Sequence, residues 1–169
     1  MLLFANFRTR EGRTVDRRSA LVVPIVTLLF TGSAHAQKTT DLVGAWTLVS
    51  NVAERDGKVT DNFGPNPRGL ALYHGNGRYS IIVMRADLPK FSQSRENATA
   101  EESLAVTKGS LAYFGTYTVS ERSIVSKIEG STFPNWMGET QKRPFTISGD
   151  ELRIINPLTS STIVWRRVQ

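Results

Sequence analysis

The sequence predicts an all-β fold: a single antiparallel eight-stranded barrel carrying one short helix. Two observations carry that prediction. Eight short runs rich in β-branched and aromatic residues lie between positions 46 and 168, and eight strands suffice to close a sheet around packed side chains or one small ligand. Tight-turn signals join several of these runs, and no repeat, low-complexity tract or linker divides the chain.

The first run, Trp46 to Ala53, ends at the turn Asp56-Gly57-Lys58, and residues 55–68 read as a loop broken by Pro65, Pro67 and Gly69. Leu70 to His74 and Tyr79 to Arg85 flank Gly75-Asn76-Gly77-Arg78. The Asn-Gly pair there predicts a hairpin with positive φ at both central positions. Residues 86–98 are polar and contain Pro89. Thr99-Ala100-Glu101-Glu102 then reads as a capping box, with Thr99 as N-cap and Glu102 reaching back to it. Ala100, Leu104, Lys108 and Leu111 form a weak stripe along the helix that follows. Tyr113 to Ser120 and Ser123 to Ser131 come next, joined at Glu121-Arg122. After the irregular Phe133 to Gly138 the chain gives Gln141 to Ser148, Glu151 to Asn156 and Thr162 to Val168. Gly149-Asp150 is the hairpin turn between the first two of these. Alternation is clean at Leu152 and Ile154, which face one way, and at Glu151 and Arg153, which face the other.

Ahead of this module the N-terminus shows the parts of an export signal. Arg8, Arg10, Arg13, Arg17 and Arg18 precede the apolar run Ala20 to Phe30 and the small-residue site Ala34-His35-Ala36. The run is short of the ~20 residues a bilayer span needs. Cleavage is expected between Ala36 and Gln37, with residues 37–169 as the mature domain in the periplasm or outside the cell. A start near Val15 would give a more ordinary signal, and Arg17-Arg18 also fits a twin-arginine signal. Cleavage would remove five of the 21 basic and two of the 15 acidic residues, lowering the net charge from +6 to +3. An excess that small and scattered does not suggest nucleic acid binding. Cysteine is absent, so the core alone must hold the fold.

Several chemistries lack their residues. His74 is the one histidine after the signal, so neither a metal site nor a haem cofactor is expected. No nucleophile elbow or phosphate-cradling glycine motif is present. What remains is a set of amphipathic residues suited to a barrel lining. Alternation puts Tyr113, Gly115 and Tyr117 on one strand face and Phe114 on the other. Tyr79 and Arg85 share a face with Ile81 and Val83, and Arg143 shares one with Phe145. An arginine within an apolar cavity needs an anionic partner, which a bound acid supplies. Against this, Arg85 also fits a strand end reaching water, and Arg143 beside Lys142 fits an exposed edge. Glu129 and Lys127 alternate onto one face and fit either an outer ion pair or an enclosed proton-transferring carboxylate. Gly44 and Trp46 read as the closed end, with Arg166 or Arg167 stacked on the indole. Trp136 fits either a guard at the mouth or packing over the wall.

These residues also fall in blocks with a family resemblance. Leu42-Val43-Gly44-Ala45-Trp46-Thr47-Leu48-Val49-Ser50 resembles the opening of the bacterial lipocalin-like domain family. So do Phe63 to Gly69, Met84-Arg85-Ala86-Asp87, Ala112 to Tyr117, Glu129 to Trp136 and Val164-Trp165-Arg166-Arg167, all in the family's order. The resemblance spans residues 41–168 and implies a lipocalin-like (calycin-type) barrel. Related barrels bind small apolar molecules, and a few such domains belong to polyketide or other secondary-metabolite pathways. The histidine that the family often carries just before this Glu is represented by Lys127, which weakens an acid–base role. Arg85, Tyr113, Glu129 and Trp136 carry over as cavity or mouth candidates. Three functions stay open: a binder of a small hydrophobic molecule such as a carboxylic acid, an isomerase or cyclase using Glu129, and a filled barrel with a protein-partner surface.

Overall fold

The computed structural model describes residues 39–169. The basic stretch, the apolar run and the cleavage position between Ala36 and Gln37 lie outside the described residues. A four-residue helix, α1 (Thr39–Leu42), leads into nine strands. They are β1 (Gly44–Arg55), β2 (Lys58–Asp61), β3 (Arg68–Tyr73), β4 (Arg78–Met84), β5 (Ser110–Ser120), β6 (Ser123–Ser131), β7 (Thr140–Ser148), β8 (Glu151–Asn156) and β9 (Ser161–Arg167). A ten-residue helix, α2 (Ala100–Gly109), sits between β4 and β5. From β3 to β9 each strand pairs antiparallel with the next, and β1 pairs with both β3 and β9. Eight strands, β1 and β3–β9, thus close into the up-and-down barrel expected from the sequence.

β2 is the addition. It pairs with the far end of β1, from Arg55↔Lys58 to Val52↔Asp61, inside the stretch expected to be loop. Asp56 and Gly57 both have positive φ, 52° and 71°, the type I′ pattern that an Asp-Gly pair favours. All four β2 residues are exposed, so no buried alternation marks the strand. The Asn76-Gly77 hairpin forms by a different turn from the one expected. Only Gly77 has positive φ, 81°, while the Gly77 N–H donates to the His74 carbonyl at 3.0 Å and the His74 N–H to the Arg78 carbonyl at 2.8 Å. This is a three-residue loop closed by a left-handed glycine.

Two bulges re-aim the wall. One lies between Leu48 and Ser50 against β9, the other between Phe114 and Gly115 against β6, where Glu129 is the extra residue. Alternation aims Tyr79, Ile81 and Val83 of β4, Tyr113 and Tyr117 of β5, and Leu152 and Ile154 of β8 into the core. Tyr73, Tyr79, Tyr113 and Tyr117 pack as one aromatic cluster, with ring centres 5.0–6.4 Å apart.

One end of the barrel is sealed. Trp46 is fully buried and its indole N–H donates to the Leu42 carbonyl at 2.9 Å. The Arg167 guanidinium lies 4.0 Å from the Trp46 ring centre and donates to the Val43 and Asp41 carbonyls at 3.0 and 2.7 Å. Side-chain donors therefore meet three successive carbonyls, those of Asp41, Leu42 and Val43, at the end of α1. Gly44 has φ 135°, and a Cβ there would meet Arg167 Nη1 at 3.1 Å. Arg166, one residue earlier, is exposed and takes no part in the seal.

α2 begins with the expected capping box. The Glu102 N–H donates to Thr99 Oγ1 at 3.2 Å, and the Glu102 carboxylate accepts the Thr99 N–H at 2.9 Å and the Ser92 N–H at 2.8 Å. The expected stripe is not its packing face: Leu104 is exposed and Leu111 belongs to β5. Gly109 is buried instead, against Leu88 and Arg85, where any Cβ would collide. Backbone N–H bonds hold the Glu102 carboxyl below the usual range. A depressed folded value means that this tie is complete above the ordinary glutamate value of about 4.3 and is lost as pH falls through the lower one. An NMR titration of the Glu102 carboxyl carbon should therefore show a midpoint below about 4.3. A midpoint at or above it would mean the box is not formed in solution.

Candidate functional site

The end opposite Trp46 is open, and the chain builds over it. Lys127 of β6 pairs with Thr140 of β7, leaving residues 128–139 to fold back at the rim. Two 2.9 Å bonds fix that fold, from the Ile128 N–H to the Glu139 carbonyl and from the Gly138 N–H to the Ile128 carbonyl. A single 3₁₀ turn, Pro134–Trp136, presents Trp136. Its ring packs edge-on against Tyr113 at 5.4 Å and Phe133 at 5.7 Å, with the Arg143 guanidinium 5.6 Å from its centre.

Trp136 borders a cavity of about 220 Å³. Phe63, Val83, Leu111, Tyr113, Ile163 and Trp165 supply its apolar and aromatic lining. Asn51, Asn62, Asn156, Thr159 and Ser161 supply a polar side, and Arg143 the one charge. The polar side is internally bonded: Asn62 Nδ2 donates to Asn51 Oδ1 at 2.8 Å and to Ser161 Oγ at 3.1 Å. A much smaller gap, about 10 Å³ and room for roughly one water, lies among Tyr73, Ile81, Ser126, Gln141, Arg143 and Trp165. A surface cleft of about 480 Å³ shares Trp136, Arg143 and Asn156 with the mouth cavity.

Tyr79, Tyr113 and Tyr117, expected to line the barrel, all face inward. Tyr113 reaches the cavity and accepts a long bond from Arg143 Nη1 at 3.4 Å. Tyr117 Oη donates to the His74 carbonyl at 3.0 Å, on the sealed side. Tyr79 Oη is buried with no partner in hydrogen-bonding geometry, although Ser126 is its polar neighbour. Burial pushes the Tyr73 and Tyr79 hydroxyls well above the usual tyrosine range, so both stay protonated at physiological pH.

Two placements correct the sequence reading. Arg85 does not reach the interior, because β4 ends at Met84 and the Arg85 N–H donates to the Gly109 carbonyl at 2.9 Å, turning the chain outward. Its guanidinium pairs with Asp87 at 2.8 Å and lies against Gly64, tying the 62–68 loop and α2 to the wall. Arg143 was expected at an exposed edge, yet Gln141, Arg143, Phe145 and Ile147 alternate inward while Lys142, Pro144 and Thr146 are exposed. The two-residue step from Arg143 to Phe145 was the available signal. Glu129 takes the outer of its two expected positions. It is the bulge residue of β6, exposed, and pairs with Arg78 at 2.9 Å rather than with Lys127.

Residues 43–168 match the model of the lipocalin-like domain. The chain belongs to the lipocalin-like domain family. A lipocalin-like protein of Bacteroides uniformis has a crystal structure that aligns with 76% of this chain and 99% of its own, at 16% identity and a TM-score of 0.46. The 4'-hydroxy-3'-methoxypropiophenone carrier protein of Aspergillus oryzae is 35% identical over 106 residues, covering 53% of this lipocalin-like chain and 96% of its own length. Among the described residues, this lipocalin-like domain groups no three His, Cys, Asp or Glu side chains as a metal site. None of its described helices is long and apolar enough to cross a membrane.

Proposed function

We propose that this lipocalin-like protein is an exported carrier that holds a small, single-ring hydrophobic molecule in the cavity at its barrel mouth. The single observation behind this reading is the cavity of about 220 Å³, roofed by Trp136 and walled by Phe63, Leu111 and Tyr113. Cavities for drug-sized ligands run from about 300 to 1,000 Å³, and one of about 150 Å³ accepts benzene. A substituted single ring suits the space between. The relative described as a carrier of 4'-hydroxy-3'-methoxypropiophenone, itself a single-ring ketone, supports the same size class. The N-terminal basic and apolar stretches ending at Ala34-His35-Ala36 support export to the periplasm or medium. The cyclase alternative draws no support from Glu129, whose carboxylate faces out against Arg78.

Titration with 4'-hydroxy-3'-methoxypropiophenone, followed by tryptophan fluorescence, tests the reading because Trp136 and Trp165 both line the cavity. Saturable one-to-one quenching with a micromolar Kd, about 8 kcal/mol of binding, is the expected result. Trp136→Ala should weaken it about tenfold, the loss of one aromatic contact of about 1.4 kcal/mol. A linear, unsaturable response would count against a carrier of this size class.

A further inference from the structure

We infer that Arg143 selects the ligand, and that the ligand carries an anionic oxygen group on its ring, a carboxylate or a phenolate. This rests on the carrier reading above and names the chemistry of the same site.

Arg143 is the one charged side chain among the residues lining the mouth cavity, and again among those lining the small gap beneath it. Its hydrogen bonds go to neutral acceptors, Gln141 Oε1 at 2.6 Å and Tyr113 Oη at 3.4 Å. A guanidinium has five N–H donors, so these two bonds leave capacity for a further acceptor. No carboxylate lies within ion-pairing distance of it among the described residues. The four ion pairs seen there, Arg78–Glu129, Arg85–Asp87, Lys142–Glu121 and Arg153–Glu151, do not involve it. Beside it in the outer cleft stand Lys142 and Glu139, both exposed.

A second observation points the same way. The Trp165 indole Nε1 is buried without a hydrogen-bond partner, and Trp165 lines the same two spaces as Arg143. An indole N–H only donates. A buried donor left unpaired is unfavourable, and so is a half-buried cation without a counter-charge. An oxygen anion entering the cavity offers acceptors for both groups, and a carboxylate fits the guanidinium fork with two parallel bonds. Trp136 stacked near the guanidinium limits the directions in which that fork can turn.

Three single-ring probes of similar size separate the possibilities: 4-methoxybenzoate, 4-nitrophenolate and neutral methyl 4-methoxybenzoate. Each is titrated calorimetrically into the full protein and into Arg143→Gln and Arg143→Lys. At least one anion should bind the native protein ten times or more tighter than the ester, as one charge-assisted contact implies. Which anion does so separates carboxylate from phenolate. Arg143→Gln should abolish that preference, bringing anion and ester affinities to within about twofold of each other, and Arg143→Lys should keep part of it. If Arg143→Gln does not fold, as judged by its circular dichroism, the Arg143→Lys result decides. Equal binding of ester and anions, or an undiminished preference in whichever variant decides, would overturn the inference and leave the carrier reading standing. No binding of any probe would overturn both.

Discussion

Trp46→Ala should destabilise the protein by about 3–5 kcal/mol, the range for a large aromatic removed from a well-packed interior. The indole is fully buried and fills the sealed end of the barrel. Its loss also leaves the Leu42 carbonyl without its donor and removes the ring beneath the Arg167 guanidinium. Against a typical stability of about 5–15 kcal/mol, that change removes a substantial share of the margin that holds the fold. Urea unfolding followed by far-UV circular dichroism measures the effect. Trp46→Phe should recover most of the packing and fall short by about 1–2 kcal/mol for the missing hydrogen bond. A Trp46→Ala midpoint matching that of the native protein would show that the seal contributes nothing to the fold.

Gly115→Ala should be nearly as severe, at about 3 kcal/mol, for a different reason. Gly115 sits inside the β5–β6 bulge, where a Cβ would overlap the Lys127 carbonyl oxygen and crowd the Glu129 nitrogen. The obstacle is backbone and cannot rotate away, so the two strands must separate locally. Inserted atoms in packed positions usually cost about 1–3 kcal/mol, and rigid neighbours put this position at the upper end. Gly75→Ala is the control. Nothing lies within 4 Å of its added Cβ and its φ is not positive, so it should be neutral or stabilising by about 0.4–1 kcal/mol. Thermal melts of the pair give the contrast directly. A Gly115→Ala protein as stable as Gly75→Ala would mean that the bulge can shift register.

The barrel itself was legible in the sequence because turn residues separate eight β-rich runs, while alternation is clean only in places and several strands carry apolar residues on both faces. Leu152 and Ile154 against Glu151 and Arg153 fix inside and outside with four residues. The α2 cap was equally readable, since a capping box depends on two side chains and local backbone. The arginines were harder. Arg85 continues the alternation of Tyr79, Ile81 and Val83, and only the end of β4 at Met84, set by its pairing with Ser110, takes it out of the wall. Arg143 follows Lys142, and two adjacent cations look exposed, whereas alternation in β7 turns Arg143 inward, half-buried, and leaves Lys142 exposed. The Glu129 bulge was invisible because it is a property of the β5–β6 pairing rather than of either strand. The cavity depends on Asn51, Phe63, Trp136 and Ser161 from four separate segments, and no local pattern foretells that meeting.

The seam between β1 and β9 also sets a clock. Arg167 and the Val43 carbonyl it holds are 124 residues apart in sequence. At synthesis rates of about 5–20 residues per second, the first half of that contact waits roughly 6–25 s on the ribosome for the second. Until β9 emerges, β1 presents an unpaired edge to its surroundings, the condition that invites pairing with other chains. Non-local closure of this kind folds slowly even once the chain is complete. The nascent protein therefore has an interval in which a chaperone meets an open sheet rather than a finished barrel.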